Sequence, residues 1–545
     1  MKRFLLSIGF FLTIHTCFAQ KKTADLIVYN AKVYTVNTRF DITQAFAVRD
    51  GKFLEVGPSY KILQNYTSSK MIDAAGKAIY PGFIDAHAHF VGYAQNLQSA
   101  NLVGTESWDA VLQTMKTFAD KHLDGWLLGS GWDQNDWPSQ QFPTKEQLDR
   151  LFPNRPVVLE RIDGHAVIAN QKALDIAGVD GREKVSGGMI VLEKGKPTGV
   201  LVDNAMDLVR SKIPNPTSNQ MVELLDQAQK NCFALGLTTV DDCGLDFEVA
   251  LQLDSLQKAG LLKMRMYVLL SDAQKNFDFL FRRGIVKTDR MDIRGFKVYA
   301  DGALGSRGAC LLQPYSDAPT QTGFLLNSIE HYKKIAETLA NYPFQMCTHA
   351  IGDSANRVLL DVYASVLKGK NDRRWRIEHA QVVSKTDIEK FGKYSIIPSV
   401  QPTHATSDMY WAGERLGKER IKTAYAYQDL LQQNGWLPLG TDFPVEHINP
   451  MFTFYAAVAR QDQKGFPKDG FQKENALTRE QALRGMTIWA AKANFEEREK
   501  GSIQKDKLAD FVILDNDLMT APSTELYKIK PIATYLGGEK VYSGD

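Results

Sequence analysis

The chain has 545 residues, of which 44% are hydrophobic and 23% charged, and its formal net charge at pH 7 is +2. This length can bury a large core, and one barrel of roughly 250–350 residues with accessory segments fits it better than several small domains. The ordinary composition excludes a long disordered chain. The balanced charge excludes a polybasic surface for nucleic acid or an anionic membrane.

Residues 1–19 have the pattern of an export signal. Lys2 and Arg3 precede an apolar run, and residues 17–19 place small side chains where a signal peptidase cleaves. The apolar run is too short to span a membrane. We therefore expect cleavage after residue 19, which takes the net charge from +2 to 0, and a periplasmic or secreted protein. Lipid anchoring at Cys17 is disfavoured because Thr16 fits that signal poorly.

Four cysteines follow the predicted cleavage point: Cys232, Cys243, Cys310 and Cys347. They lack Cys-x-x-Cys spacing, which argues against a cysteine-based zinc knuckle. A disulfide is permitted in an exported protein, but the sequence does not pair them. We interpret them as small buried hydrophobic residues.

The two ends of the mature chain share a β-rich texture. Residues 24–80 contain short apolar strands, with a strong hairpin signal at Asp50-Gly51. Similar runs return between residues 509 and 542. Since neither end could bury its strands alone, we predict that residues 24–80 and 500–545 combine into one small β-sandwich.

Residues 81–499 alternate apolar strand-like runs with helical patterns, which is typical of a parallel α/β fold. We predict a TIM-like (β/α)8 barrel. Its eight strands are expected at 79–87, 238–242, 264–269, 295–300, 345–349, 375–379, 396–401 and 437–441. The first interval, of about 150 residues, is too long for an ordinary βα unit. We interpret residues from about 100 to 230 as an inserted subdomain that covers the barrel mouth.

The run Pro81-Gly82-Phe83-Ile84-Asp85-Ala86-His87-Ala88-His89 ends in two histidines. Residues i and i+2 of a strand point to the same face, so His87 and His89 are expected to project side by side. Two such imidazoles are half of a zinc-type site. The alternative for an isolated His-x-His is a pair of surface histidines in a loop.

Further polar residues lie on other predicted strands. Lys297 lies within the fourth strand, His349 closes the fifth, His379 closes the sixth and Asp442 follows the eighth. Active sites of such barrels gather at the carboxyl ends of the strands, so these groups should converge with the histidine pair. Four imidazoles, a carboxylate and a lysine predict a site for divalent cations.

Five further stretches follow the histidine pair in order: Phe-Lys-Val-Tyr-Ala-Asp-Gly-Ala-Leu-Gly-Ser, Thr-His-Ala-Ile-Gly-Asp, Arg-Ile-Glu-His-Ala-Gln, Gln-Pro-Thr-His and Gly-Thr-Asp-Phe-Pro-Val. With Pro-Gly-Phe-Ile-Asp-Ala-His-Ala-His they closely resemble the amidohydrolase superfamily, in particular its YtcJ-like (amidohydrolase 3) branch. One motif alone would be weak, but six in order are specific. With the flanking sandwich, the resemblance extends over nearly the whole mature chain.

The resemblance implies a role for each strand-end residue. One divalent metal ion, most often Zn²⁺, would be held by His87, His89 and Asp442, and a second by His349 and His379. Lys297, carboxylated by CO₂, would bridge the two ions through anionic carbamate oxygens. The alternatives are a structural lysine and a single metal ion. Homodimerisation is a habit of the family and not a result of the residues.

The resemblance and the charges predict hydrolysis of a C–N amide-type bond in a small molecule. Metal-activated water would supply hydroxide, and Asp442 would take its proton and return it to the leaving nitrogen. Alternatives are hydrolysis of esters or other non-peptide bonds, a metal-dependent isomerase or lyase, and a non-catalytic exported binding protein.

Substrate identity is not determined by the sequence, but five residues are candidates for substrate binding: His165, His404, Asp301, Arg307 and Trp132. For each, a structural or surface role is the alternative. Asp301 and Arg307 could orient Lys297 or a substrate acid group, and the tryptophan could belong to the subdomain core. His122 and His331 are expected to be solvated, and His447 to be exposed or to support the site.

Overall fold

The computed structural model describes residues 21–544, so the predicted signal segment 1–19 and Cys17 lie outside the described residues. Within that range, no helix combines the length and the apolar character needed to cross a membrane. The described chain comprises a central α/β barrel, a β-sandwich built from both ends, and a subdomain inserted between the first two barrel strands.

Seven parallel strands form the barrel sheet among the described residues. In sheet order they are Phe83–Ala88, Leu237–Leu245, Arg265–Ser271, Met291–Tyr299, Gln345–Ala350, Arg376–His379 and Ile397–Ser399. A short strand, Val286–Lys287, pairs antiparallel with the fourth. The strands are almost entirely buried, as expected for a parallel sheet covered by helices. The predicted fold class is confirmed.

The predicted eighth strand at 437–441 is reduced to a single parallel bridge between Leu439 and Val400. The segment still closes the barrel, because Ala86 N donates to Leu439 O at 3.2 Å and Asp442 N donates to His87 O at 2.8 Å. Gly440 permits this approach, since a Cβ there would lie 2.6 Å from His87 N. The closure places Asp442 directly beside the His87 backbone.

The predicted first strand at 79–87 is two strands in the structure. Ala78–Pro81 belongs to the sandwich and Phe83–Ala88 to the barrel. The break falls at Gly82, where a Cβ would lie 2.3 Å from Thr238 Oγ1. The sequence analysis merged the two because both are apolar and contiguous. One consequence is that His89 lies just past the barrel strand, at the N-cap of helix Phe90–Asn96.

Helices follow the barrel strands and pack around them. They are Phe90–Asn96, Ser218–Ala234, Phe247–Lys258, Gln274–Arg283, Ile329–Leu339, Asp353–Leu367, Glu389–Lys393, Pro402–Asp408, Ala412–Arg420, Tyr427–Asn434, Pro450–Ala459, Arg479–Gly485 and Ile488–Ala493. Several have strong sequence signals at their start. Ser218–Ala234 begins with a capping box between Thr217 and Gln220, which satisfies two otherwise unpaired backbone N–H groups.

Strands from both ends of the chain form the sandwich. One sheet has the order Lys52–Gly57, Ala45–Arg49, Leu26–Tyr29 and Met71–Asp73; the other has the order Glu539–Ser543, Pro531–Leu536, Phe511–Leu514, Ala78–Pro81, Lys32–Tyr34 and Ile42–Thr43. The C-terminal segment joins the N-terminal one where Phe511 pairs with Pro81. Between the sheets, the Phe46 ring lies 5.1 Å from Phe53 and 4.9 Å from Phe511, in edge-to-face contacts.

The inserted subdomain has a six-stranded mixed sheet. Its order is Ala100–Asn101, Leu127–Trp132, Val157–Arg161, Ala166–Ala169, Lys196–Asp203 and Gly188–Glu193. Helices Trp108–Ala119, Glu146–Leu151, Gln171–Ala177 and Asp207–Arg210 accompany it. Two apolar clusters pack on this sheet, separate from the barrel core.

Candidate metal centre

A cavity of about 1920 Å³ opens at the carboxyl ends of the barrel strands. Barrel residues form its inner end, including His89, Lys297, His349, His379 and Asp442. The inserted subdomain supplies much of its wall. The structure therefore brings the predicted strand-end residues together at the place where barrel enzymes carry their active sites.

Asp442 lies at the centre of the first group of potential ligands. Its Oδ1 atom is 3.5 Å from His87 Nε2 and 3.2 Å from His89 Nε2. These three side chains offer ligand atoms that all lie within 4.8 Å of one another. A histidine pair and one carboxylate are a typical divalent-metal donor set.

The second group shares Asp442 and adds His379 and His404, again with ligand atoms within 4.8 Å of one another. His404 Nε2 lies 3.5 Å from Asp442 Oδ2. The sequence analysis treated His404 as a substrate-binding candidate and assigned the second ion to His349 and His379. The structure adds His404 to that set, while the His349 ring lies 4.6 Å from the ring of His379.

Lys297 is buried between these histidines. Its Nζ lies 3.0 Å from His87 Nε2 and 4.6 Å from the centroid of the Tyr299 ring. No carboxylate among the described residues lies within 4.0 Å of this Nζ, although the side chain is only 1% exposed. Burial disfavours the Lys297 ammonium, but the neighbouring Tyr299, Cys243, Glu378 and Asp442 together outweigh it, so its pKa is raised.

Several buried donor atoms at the site lack hydrogen-bond partners in the described chain. They are Asp442 Oδ1, His349 Nε2 and His404 Nε2. Buried polar atoms are normally satisfied, and exceptions call for an explanation. A divalent cation would satisfy these atoms, since each carries a free lone pair, and the residues therefore fit such an ion.

Two residues that the sequence analysis did not single out orient these ligands. Glu378 Oε2 accepts a hydrogen bond from His87 Nδ1 at 2.7 Å, and Gln401 Oε1 accepts one from His379 Nδ1 at 2.7 Å. Each bond fixes the ring and keeps the ring proton on Nδ1, so that Nε2 carries the lone pair, as second partners of metal-binding histidines do. The sequence contained one signal for such a role, because Glu378 is a charged residue within a buried strand.

The electrostatics of the inner end favour neutral imidazoles beside an ionised carboxylate. Burial, followed by the neighbouring His349, lowers the pKa of His379 well below its usual value. Burial alone would raise the pKa of Asp442, but the facing His87, His89 and His379 hold it well below its usual range. Neutral imidazole and ionised carboxylate are the forms that bind metals.

The backbone is strained at the same place. His379 has φ of 70° and Asp442 has φ of 66°, both in the left-handed region that non-glycine residues rarely adopt. Such conformations cost on the order of 1–3 kcal/mol and cluster at functional sites. The strain at these two strand ends supports their assignment to the centre.

His165 reaches the centre from the insertion. Its ring lies 5.1 Å from that of His349, and its Nδ1 donates to Asp203 Oδ1 at 2.6 Å. Burial is the largest single influence and lowers the pKa of His165, but Asp203, Asp163 and Asp301 together outweigh it, so the net shift is upward. The structure thus places His165 at the cavity wall, as a substrate-binding role requires, and adds Asp203 as its partner.

Two candidates near the fourth strand have structural roles. Asp301 is fully buried and accepts hydrogen bonds from the backbone N–H groups of Cys310, Ile351 and Gly352. Arg307 forms an ion pair with Asp317 at 2.8 Å and lies outside the main cavity. Neither lines the main cavity, although Asp301 Oδ1 lies 3.6 Å from His349 Nε2, behind the candidate ligands.

The structure also corrects the prediction that Trp132 binds substrate. It is 0% exposed, packs in the core of the insertion, and donates through Nε1 to Leu159 O at 2.8 Å. Trp137 lines the cavity instead. Sequence alone could not separate the two, because both lie in the same aromatic stretch.

The remaining histidines are peripheral to the centre. His122 is exposed and stacks on Phe118 at 3.8 Å. His331 Nε2 lies 3.0 Å from Asp272 Oδ2, which gives it a partner that the sequence analysis did not foresee. His447 is exposed at the cavity wall. None lies in the two ligand groups.

Three comparisons agree with this geometry. Residues 70–542 match the family model described as the amidohydrolase family. The chain is 30% identical to the putative amidohydrolase YtcJ of Bacillus subtilis, covering 94% of this chain and 98% of that protein. It is 27% identical to the N-substituted formamide deformylase of Arthrobacter pascens, with 94% and 97% covered.

A solved structure supports the same assignment. An uncharacterized metal-dependent hydrolase from Pyrococcus horikoshii superposes with a TM-score of 0.75 at 27% identity, covering 91% of this chain and 99% of that one. Fold, ligand geometry and sequence relationship thus agree over nearly the whole described chain. The protein belongs to the metal-dependent amidohydrolase family.

Proposed function

We propose that the protein hydrolyses a C–N amide-type bond of a small molecule, as an enzyme of the EC 3.5 type. The observation that carries this proposal is the convergence of His87, His89, His379, His404 and Asp442 at the inner end of the cavity. The name of the deformylase relative supports the choice of a C–N bond.

Burial lowers the pKa of four of the histidines and so favours the neutral form that binds a divalent ion, which we propose to be zinc; they are His87, His349, His379 and His404. His87, His89 and Asp442 would hold one ion, and His379 a second together with His349 and His404. Carboxylated Lys297 would contribute to both. When bound, such an ion activates water and polarises a substrate carbonyl.

Asp442 is the group placed to move protons. Its facing imidazoles keep it ionised, so its oxygens can accept a proton from the attacking water and return it to the leaving nitrogen. His165 lies beside one of these ligands, with its ring centroid 5.1 Å from that of His349. There it would donate a hydrogen bond to the substrate, while Asp203 holds its ring in place.

The test combines metal analysis with turnover. The protein is purified, its metal content measured by plasma mass spectrometry, and N-acyl amino acids, N-formyl amines and cyclic ureides are assayed after zinc reconstitution. We expect at least one bound ion, and loss of both the ion and turnover in His87→Ala. His122→Ala removes an exposed histidine and is the matched control.

The opposite results would contradict the proposal. A purified protein without divalent metal, or a His87→Ala variant that keeps full turnover, would overturn the metal-dependent mechanism. Turnover of esters or release of ammonia from an amidine, without amide hydrolysis, would instead move the reaction to another class on the same scaffold.

Export is a separate proposal that rests on residues 1–19. Fractionation of cells expressing the full chain is expected to place the protein outside the cytoplasm, with a mature N-terminus at Gln20. A cytoplasmic protein that retains Met1 would contradict it.

A further inference from the structure

We propose that the substrate carries an ammonium or guanidinium group, which binds to the carboxylates of Asp408 and Glu446 in the outer part of the cavity. This inference rests on the proposed hydrolysis and names its substrate class. It concerns the part of the cavity wall outside the two groups of potential metal ligands. Membership of the family does not say what binds to that part of the wall.

The two carboxylates approach the cavity from different elements. Asp408 ends the helix Pro402–Asp408, one turn beyond His404, and Glu446 follows Asp442 on the segment after the eighth strand position. Asp136, at the end of the short 3₁₀ helix Gln134–Asp136 of the insertion, is more exposed and lines the same cavity. Carboxylates from three elements thus line one cavity together with the candidate metal ligands.

Neither inner carboxylate has a cationic partner. No Lys, Arg or His of residues 21–544 lies within 4.0 Å of the Asp408 or Glu446 carboxylate. Asp408 Oδ2 accepts from Tyr425 OH at 2.6 Å, and Glu446 Oε1 accepts from Ser407 Oγ at 2.6 Å. These neutral donors orient the carboxylates without neutralising them.

Some other carboxylates of the same cavity are paired with arginine, whereas Asp207 and the exposed Glu106 form no ion pair in the described chain. Arg161 is buried and forms ion pairs with Asp133 and Asp163. Arg210 pairs with Glu160 at 2.8 Å. Arg161 and Arg210 are thus engaged by other carboxylates, and Lys464, which also lines the cavity, is exposed. A positive charge from the substrate would complete the set.

The site is not arranged for a further metal ion. Asp408, Glu446 and Asp136 form no group of three ligand atoms within 4.8 Å in the described chain. An organic cation can instead reach carboxylates that lie further apart, because its several N–H donors point in different directions.

A second observation comes from the same helix, one turn before Ser407, the residue that donates to Glu446. Thr403 is 6% exposed, lines the cavity beside His404, and its Oγ1 has no hydrogen-bond partner in the described chain. A bound polar substrate would satisfy that hydroxyl. Burial raises the pKa of Glu446 to about 8 and that of Asp408 to about 7, where Arg161 opposes the rise. A bound cation would favour the ionised form of both groups.

The test uses three amides that differ only in the charge of one end. N-acetylputrescine ends in an ammonium group, N-pentylacetamide in a methyl group and N-acetyl-δ-aminovalerate in a carboxylate. We expect kcat/KM for the cationic amide to exceed that for the neutral one by about 10- to 100-fold, the range of hydrogen bonds to charged groups. The anionic amide is expected to be the poorest of the three.

Variants assign the effect to the proposed residues. Glu446→Gln and Asp408→Asn keep the side-chain shape and are each expected to reduce the preference for the cationic amide by about tenfold. Turnover of N-pentylacetamide is expected to change less than twofold. The control Glu106→Gln removes an exposed carboxylate at another part of the cavity and should leave the preference unchanged.

A direct binding measurement tests the cation site independently of the proposed reaction. Calorimetry with putrescine and its diol analogue, on the metal-loaded protein, is expected to show binding of the diamine that weakens in Glu446→Gln. If none of the amides is hydrolysed but the diamine binds in this way, the reaction proposal fails and the cation site stands. Equal binding of diamine and diol, or equal turnover of the three amides, would overturn the inference.

Discussion

The two ends of the cavity carry the same kind of side chain in opposite electrostatic settings. Asp442 at the inner end and Glu446 at the outer wall are separated by three residues. Burial alone would raise the pKa of both. At Asp442, the facing imidazoles hold the pKa well below its usual range, whereas at Glu446 the neighbours are Ser407 and other carboxylates, and the pKa is about 8.

This contrast teaches that the charge of a buried carboxyl is set by the groups that face it and not by the residue type. At the inner end the protein supplies lone pairs that converge on small cations. At the outer wall it supplies carboxylates that are too far apart for a metal ion and have no cation of their own. One cavity therefore has two regions suited to two kinds of positive charge.

The largest effect is expected from a substitution in the inner region of the cavity. Asp442→Asn keeps the shape of the side chain but removes its charge and its ability to accept a proton. We expect turnover of a neutral amide such as N-pentylacetamide to fall about a thousandfold, within the range for loss of a general base or acid. Glu446→Gln, measured in the same assay, should change it less than twofold. Similar losses in both variants would contradict the division of the cavity.

Lys297 tests whether the inner region needs a further negative charge. Lys297→Met is expected to lose about one equivalent of bound metal, because an apolar side chain offers no ligand. Lys297→Glu supplies a carboxylate and should retain more metal than the methionine variant. Plasma mass spectrometry on matched samples measures both. Equal metal content in the wild type and the two variants would show that this lysine is structural.

Glu378 tests the orienting shell of the inner region. Glu378→Gln replaces the carboxylate that holds His87 Nδ1. We expect metal affinity to fall about 10- to 100-fold, as for other partners of metal-binding histidines. Competition with a chromogenic chelator measures the affinity. Glu497→Gln, which removes a carboxylate that pairs with Arg374 far along the chain, is the control. Unchanged affinity in Glu378→Gln would contradict the orienting role.

The smallest effect on activity is expected from the core of the insertion. Trp132→Phe removes the Nε1 hydrogen bond to Leu159 O in a buried site. Because one acceptor is left unpaired, we expect the free energy of unfolding to fall by about 1–3 kcal/mol, measured by denaturant titration. The kcat/KM should stay within twofold of the wild type. A large change in KM with unchanged stability would indicate instead that Trp132 contributes to substrate binding.

The barrel strands show which parts of the fold could be predicted from the sequence. The alternation of apolar runs and helices located six strands, the second to the seventh, to within a few residues, because period and turn chemistry are local properties. It failed at the first strand, where sandwich and barrel segments are contiguous and only Gly82 marks their border. It overestimated the eighth, whose closure depends on backbone contacts with the first strand.

The sequence by itself determined the barrel, the histidine pair and the residues at the strand ends, because strand-end motifs record local chemistry in fixed order. The tertiary structure alone decided which side chains share the cavity: it added His404 and Glu378 to the metal centre, and excluded Trp132 and Arg307. It also brought Asp408 and Glu446 to one wall without a cation. These outcomes depend on contacts between residues that are distant in sequence, and local sequence patterns do not determine such contacts.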